Sequence, residues 1–267
     1  MVTPVNHAGG VDFAGISNVA QWLISKGVDG IFVAGTTGRF SHFSPEQNSE
    51  VCRAVADTVG DRVRVYGGIC DSGVPRMLSN AERMKRAGAD IVVTTGPYYL
   101  SMLIEEAEAD LREVATKSPL PVIYYNIPEF VGYGLRPEWI AEMADHPNVI
   151  GYKDSSDNLE HHLKVLERTR GKDFSILIGK ELLLAQALRS GATGLVVSLV
   201  QADPDPFVSL ARNAAIGDWT AVMANQSQVQ KLVEDFIVFF RKRPVFSTLL
   251  HYLEAKLKQH GIEVRLV

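Results

Sequence analysis

Cysteine is scarce in this chain, with two in 267 residues, Cys52 and Cys70, and no CxxC spacing. That number excludes a disulfide framework, and both thiols read first as small buried apolar groups. An excess of positive charge is also missing. Lysine and arginine total 27 against 31 aspartates and glutamates, a net charge of −4. Nothing there supplies the clustered cations that a nucleic-acid backbone requires. No apolar run approaches the roughly 20 residues that cross a bilayer. The opening residues MVTPVNHAGG have neither the basic nor the apolar stretch of a signal peptide. These absences predict a cytoplasmic protein with no nucleic-acid partner and no membrane partner. The GxGxxG fingerprint of dinucleotide binding is absent after every apolar run.

What the chain does have is a repeat. Short runs rich in β-branched residues occur at 30–35, 63–69, 90–95, 121–127, 149–154, 174–179 and 194–200. They are nearly continuously apolar, as parallel strands covered on both faces are. Segments with helical spacing lie between them. Phe13 to Lys26 puts Ile16, Val19, Ala20, Leu23 and Ile24 on one stripe, and Ser44-Pro45-Glu46-Gln47 is a capping box with proline at the first helical position. Further helices are predicted at 74–87, 104–116, 137–144, 158–170, 182–190 and 204–213. Three helix ends carry a basic residue near a glycine (Gly27, Gly88 and Gly191) and lead within a few residues into a strand. With a stub at Met1 to Pro4 the strands number eight, spaced by about 30 residues, the size of a βα unit. The economical fold is an α/β (β/α)8 TIM barrel with additional C-terminal helices; a doubly wound open sheet is the alternative.

The domain reading is a barrel over 1–214 with a shortened first strand, followed by a helical extension over 215–267 that packs on it. The extension has two helical stretches, Trp219 to Phe240 and Val245 to Gln259, separated by a Lys242-Arg243-Pro244 break. Val229, Leu232, Val233, Phe236, Ile237 and Phe240 form a stripe that must pack on the barrel or on another chain.

In such a barrel the active site lies at the C-terminal ends of the strands. Lys153 closes the strand VIGYK, whose other residues are apolar or small. Burial disfavours a lysine's charge, and a neutral amine attacks a carbonyl to form a Schiff base; pairing with Asp154 at the strand exit is the competing reading. Tyr125 ends the preceding strand, where a phenol can shuttle protons or simply pack. Thr36-Thr37-Gly38 offers hydroxyls and successive amides in a tight turn, either a carboxylate cradle or an ordinary polar turn. Tyr98 and Tyr99 read as a rim pair or as core. The seven histidines avoid the strand ends, so no metal site is predicted. His161 and His162 read as a solvated helix face. The loops after the last two strands lack a glycine cluster, which disfavours a phosphorylated substrate.

Taken in order, GVDGIFVAGTTG, PYY, YYNIP, GYKDSS and GATGLVVS resemble the dihydrodipicolinate synthase / N-acetylneuraminate lyase family. The likeness runs from Thr3-Pro4 to about residue 200. It implies a class I, metal-independent aldolase or lyase that handles pyruvate through an imine on Lys153, with no other cofactor. It also implies that Tyr125 moves protons, with Thr36 bridging it to Tyr99, and that Tyr99 reaches a neighbouring subunit's site in a dimer of dimers. Thr36, Thr37 and Gly38 would hold the carboxylate of a small keto acid, and Gly179 and Val197 would line the site.

The departures bear on the second substrate. Dihydrodipicolinate synthases carry an arginine two residues after the YN-x-P proline, and here that position is Phe130. The usual TTGE reads TTG-Arg39, and Lys180-Glu181 follows Gly179 where an acidic residue commonly comes first. These features look more like the 2-keto-3-deoxy-gluconate aldolase branch, so the expected substrate is a 2-keto-3-deoxy sugar acid. The alternatives are dihydrodipicolinate synthase, joining pyruvate to aspartate semialdehyde with Arg39 as the replacement cation, a keto-deoxy-acid dehydratase, and a catalytically silent binding barrel. The family's first strand begins earlier and its tail runs longer, so the first strand here is expected to be short, with an exposed edge.

Overall fold

The helices begin where the sequence supplies caps. The Asp12 carboxylate accepts from the Gly15 amide at 3.1 Å and opens α1 (Phe13–Ser25). At α2 (Pro45–Val59) the Ser44 hydroxyl accepts from the Gln47 amide at 3.2 Å while the Gln47 side chain accepts from the Ser44 amide at 2.9 Å. The three helix-ending glycines are left-handed, at φ 86° for Gly27, 92° for Gly88 and 110° for Gly191, the conformation in which a missing Cβ relieves the clash at a helix end. The structure, a computed structural model, describes residues 1–241 and 245–267, so the Lys242-Arg243-Pro244 break lies outside the described residues.

The strands are β1 (Gly30–Val33), β2 (Arg64–Gly68), β3 (Ile91–Thr94), β4 (Val122–Asn126), β5 (Val149–Asp154), β6 (Ser175–Ile178) and β7 (Gly194–Leu195), and they follow chain order in the sheet. Each neighbouring pair from β2 to β7 is parallel. The intervening helices are α3 (Val74–Arg86), α4 (Ile104–Lys117), α5 (Pro128–Val131), α6 (Pro137–Met143), α7 (Leu159–Arg168) and α8 (Leu184–Arg189). After β7 come α9 (Asp205–Ala215), α10 (Trp219–Phe240) and α11 (Phe246–Gln259). This is the α/β barrel class with added C-terminal helices.

Two expectations need correcting. Met1 to Pro4 is not an eighth strand among the described residues. The Met1 amine bonds to the Phe32 carbonyl, so the segment lies beside β1. However, the Val2 amide goes to the Gln201 side chain at 2.6 Å and Pro4 has no N–H, so no ladder forms. The run at 194–200 is likewise strand only over β7, because a 3₁₀ turn at Leu199–Gln201 takes over its end.

The chain divides into two compact units, Met1–Val65 with Val197–Val267, and Tyr66–Val196. In the first, Ile16, Val55, Phe207, Leu210, Val229 and Leu253 are buried. The apolar stripe of α10 is partly covered within that unit: Val229 and Val233 are buried, the Phe236 ring meets Tyr252 of α11 with centroids 5.3 Å apart, and Ile237 is exposed. In the second, Met77, Met84, Leu111, Tyr124, Ile140, Met143 and Tyr152 are fully buried. All five residues of β4 are buried, which explains why its sequence shows no in-and-out alternation. No described helix is long and apolar enough to cross a membrane.

Candidate active site

Strand geometry decides what Lys153 meets. Tyr125 and Lys153 are register partners across β4 and β5, so their side chains leave the sheet on the same face. Both are buried, and the Lys153 Nζ sits 3.7 Å from the centre of the Tyr125 ring. The negative face of a phenol attracts an ammonium by about 0.5–2 kcal/mol. Gly179, just past β6, leaves room for the lysine stem. A Cβ there would stand 3.1 Å from the Lys153 Cε, 2.9 Å from the Asp154 carbonyl and 2.1 Å from the Ser155 hydroxyl.

Cys70, at the end of β2, lies within electrostatic reach of Lys153. Burial pushes its thiol up, against the Thr95 amide hydrogen bond and the Lys153 charge, which lower it. The Thr95 amide donates to the sulfur at 3.4 Å. Its position at a strand end was the one signal that could have marked Cys70 as more than a small apolar residue. Beside it, Asp71 accepts from Arg76 at 2.6 Å and from Asn80 at 3.2 Å. Burial, followed by the Asp71 charge, pushes the half-buried Tyr98 up to about 12.

The segment after β1 is strained and well tied. Ala34 and Arg39 are left-handed at φ 52° and 55°, a region non-glycine residues seldom enter. The Arg39 amide closes a turn on the Thr36 carbonyl at 2.9 Å. Thr37 and Ser198 share a hydroxyl–hydroxyl bond of 2.7 Å, and Val197 beside Ser198 is buried. Gly38 is there because a Cβ would stand 2.9 Å from the Met1 carbonyl. Thr36 is half-buried.

Of the residues named from sequence, Lys153, Tyr125 and Gly179 come together in one unit, and Thr37, Gly38 and Val197 belong to the other. Tyr99 and Phe130 belong to the same unit as Lys153 but are 91% and 55% exposed. The histidine pair needs correcting. His162 is fully buried, with Nδ1 3.2 Å from the Asp154 carboxylate, and the half-buried His161 meets the Tyr152 hydroxyl at 2.9 Å. Adjacent helix positions differ by about 100°, so both can fall on a wide inner face. Among the described residues no three His, Cys, Asp or Glu side chains are grouped to hold a metal ion.

The chain matches the dihydrodipicolinate synthetase family over residues 1–265. The 4-hydroxy-tetrahydrodipicolinate synthase of Haloarcula marismortui is 31% identical over 245 residues, 92% of this chain and 80% of the relative. That of Natronomonas pharaonis is 32% identical over 92% of this chain and 83% of its own. YagE, an E. coli K12 prophage protein of the dihydrodipicolinic acid synthase family solved in complex with pyruvate, superposes with a TM-score of 0.91. It is 25% identical and covers 100% of this chain and 88% of its own. Dihydrodipicolinate synthase from Bacteroides thetaiotaomicron gives 0.91 at 29% identity, covering 99% of this chain and 88% of its own.

Fold and relatives together define the class: a pyruvate-dependent class I lyase on an α/β barrel. The chain belongs to the dihydrodipicolinate synthetase family, whose chemistry runs through a lysine imine with pyruvate and no separate cofactor.

Proposed function

We propose that Lys153 is the imine-forming lysine and that the enzyme condenses pyruvate with an aldehyde acid of the aspartate semialdehyde kind. The observation that carries the first part is the buried Nζ held 3.7 Å over the Tyr125 ring by strand register. In this reading the amine adds to the ketone of pyruvate and water leaves. The iminium then withdraws electrons, so the methyl group can lose a proton and attack the aldehyde. Tyr125 carries the protons, relayed through Thr36 and a neighbouring subunit's Tyr99. Thr36, Thr37 and Gly38 receive the carboxylate, and Gly179 and Val197 line the imine.

The choice of acceptor is supported by the synthase names of the relatives at 31% and 32% identity, and it reverses the preference for a sugar acid drawn from sequence. One observation keeps the sugar-acid reading as the second: Phe130, where the synthases carry an arginine, is an exposed apolar residue on α5. In the synthase reading Arg39 replaces that arginine as the cation that receives the acceptor's carboxylate.

The proposed assembly is a homo-oligomer in the cytoplasm. Its support is the exposed run Tyr99, Leu100 and Leu103 at 91%, 74% and 66%, an apolar cluster of the kind that marks contact surfaces.

The test is intact mass after incubation with pyruvate and borohydride. A pyruvate-sized adduct on wild type and none on Lys153→Ala is the expected result. A screen of aspartate semialdehyde condensation against 2-keto-3-deoxygluconate cleavage and dehydration then assigns the second substrate. A folded wild type without an adduct overturns the imine and leaves a silent barrel.

A further inference from the structure

The opposite face of the same two strands carries a buried polar cluster that the chemistry above does not use. Asn126 and Asp154 directly follow Tyr125 and Lys153 and are themselves register partners. Alternation turns them away from the lysine, toward the helices. Asn126 is 2% exposed, Asp154 1% and His162 of α7 0%. The Asn126 amide donates to the Asp154 carboxylate at 3.1 Å, and its carbonyl oxygen accepts from the Leu135 amide at 3.0 Å. The Ser156 amide donates to Asp154 at 3.0 Å, and the His162 Nδ1 lies 3.2 Å from the other carboxylate oxygen. The main chain adds two ties: the Ser155 amide to the Asn126 carbonyl at 2.8 Å, and the Gly179 amide to the Asp154 carbonyl at 2.7 Å.

A carboxylate taken this far out of water persists only if it is fully paired. Burial pushes the Asp154 carboxyl up, and the hydrogen bonds from His162 and Ser156 bring it below its ordinary value. The His162 Nε2 is buried without a hydrogen-bond partner. The ring's hydrogen bond is therefore made through Nδ1, whose proton meets the carboxylate. So the ring presents one donor to one acceptor, and α7 is pinned through it to the last residue of β5.

We propose that the Asn126–Asp154–His162 cluster is a positioning device for Lys153 and Tyr125. By joining the ends of β4 and β5 to each other and to α7 from behind, it holds the amine and the phenol face to face. This inference rests on the reading of Lys153 as the imine lysine. A shift of about 1 Å at a reacting group can cost about a hundredfold in rate. Asp154 is bonded directly to Lys153 along the chain, so a loosened Asp154 moves Lys153 directly.

The experiment measures the rate of borohydride-trapped imine formation at saturating pyruvate and the pyruvate concentration for half-saturation. His162→Leu removes the donor, whereas His162→Asn restores an N–H near the place of Nδ1. The expected result is trapping at least about tenfold slower in the leucine variant, with half-saturation changed by less than about threefold, and most of the rate regained with asparagine. Asp154→Asn should match the leucine variant, and it carries the test if the leucine variant does not fold. A folded leucine variant with the wild-type rate, or an asparagine variant as slow as the leucine one, overturns the inference while leaving the imine intact. No adduct on wild type overturns the imine reading, and the positioning role falls with it.

Discussion

At the residue scale, the decisive quantity is the space around one amine. Lys153 was legible in the sequence because a lysine closing an apolar strand is expensive to place unless it is used or paired. Its contact with the Tyr125 ring was not legible, since it depends on a register that brings together residues 28 positions apart. Gly179 shows the same limit. In sequence it is one more glycine after a strand, while in the structure it leaves room for the Lys153 stem and lies against the Asp154 carbonyl. Gly179→Ala puts a methyl 2.9 Å from that backbone oxygen and 3.1 Å from the Lys153 Cε. Overpacking of this kind costs about 1–3 kcal/mol. The expected outcome is a lower urea midpoint together with slower imine trapping, and an alanine variant with unchanged trapping would show that the stem has room to spare. His162 was misread for the opposite reason: a polar residue on a helix looks solvated until its partner on a strand is seen.

At the element scale, local chemistry carried most of the information. The predicted start of α2 and the predicted starts and ends of α1, α3, α10 and α11 fall within a residue or two of the observed ones. Caps act over three or four residues and need no tertiary partner. The capping box of α2 makes this measurable. Ser44→Ala removes the acceptor for the Gln47 amide and should cost about 1 kcal/mol, read as a shift in denaturant midpoint at unchanged trapping rate. A midpoint identical to wild type would show that water replaces the cap at this exposed end. Local signals failed at β7 and at Met1 to Pro4. The run at 194–200 was read as covered, and Leu199 is nearly inaccessible, as is Val2. What prevents a longer strand is where the amides go: Val2 to a side chain, and Gln201 and Ala202 to the Ser198 and Leu199 carbonyls in a 3₁₀ turn. Strand length depends on neighbours supplying carbonyls in step, which no single run of residues can report.

At the scale of the whole molecule, the segment between β3 and α4 exposes three large apolar side chains. Tyr99 is left-handed at φ 87° and 91% exposed, with Leu100 and Leu103 also exposed. If a second copy covers them, each leucine contributes about 1.5–3 kcal/mol on burial. Replacing both by serine should then weaken the dimer by at least about a hundredfold. Sedimentation velocity at micromolar concentration checks this, with monomer expected for the double variant and an unchanged mass counting against that face as the contact. The sequence by itself determined the α/β class, the repeat of βα units, the helix ends and the family, because periodicity, capping residues and ordered motifs are written in short stretches of chain. Only the tertiary structure decided that Lys153 lies on the Tyr125 ring, that Asp154 meets His162, and that the first segment lies beside β1 without joining it. Each of these is a contact between residues separated along the chain, and its geometry comes from register and packing.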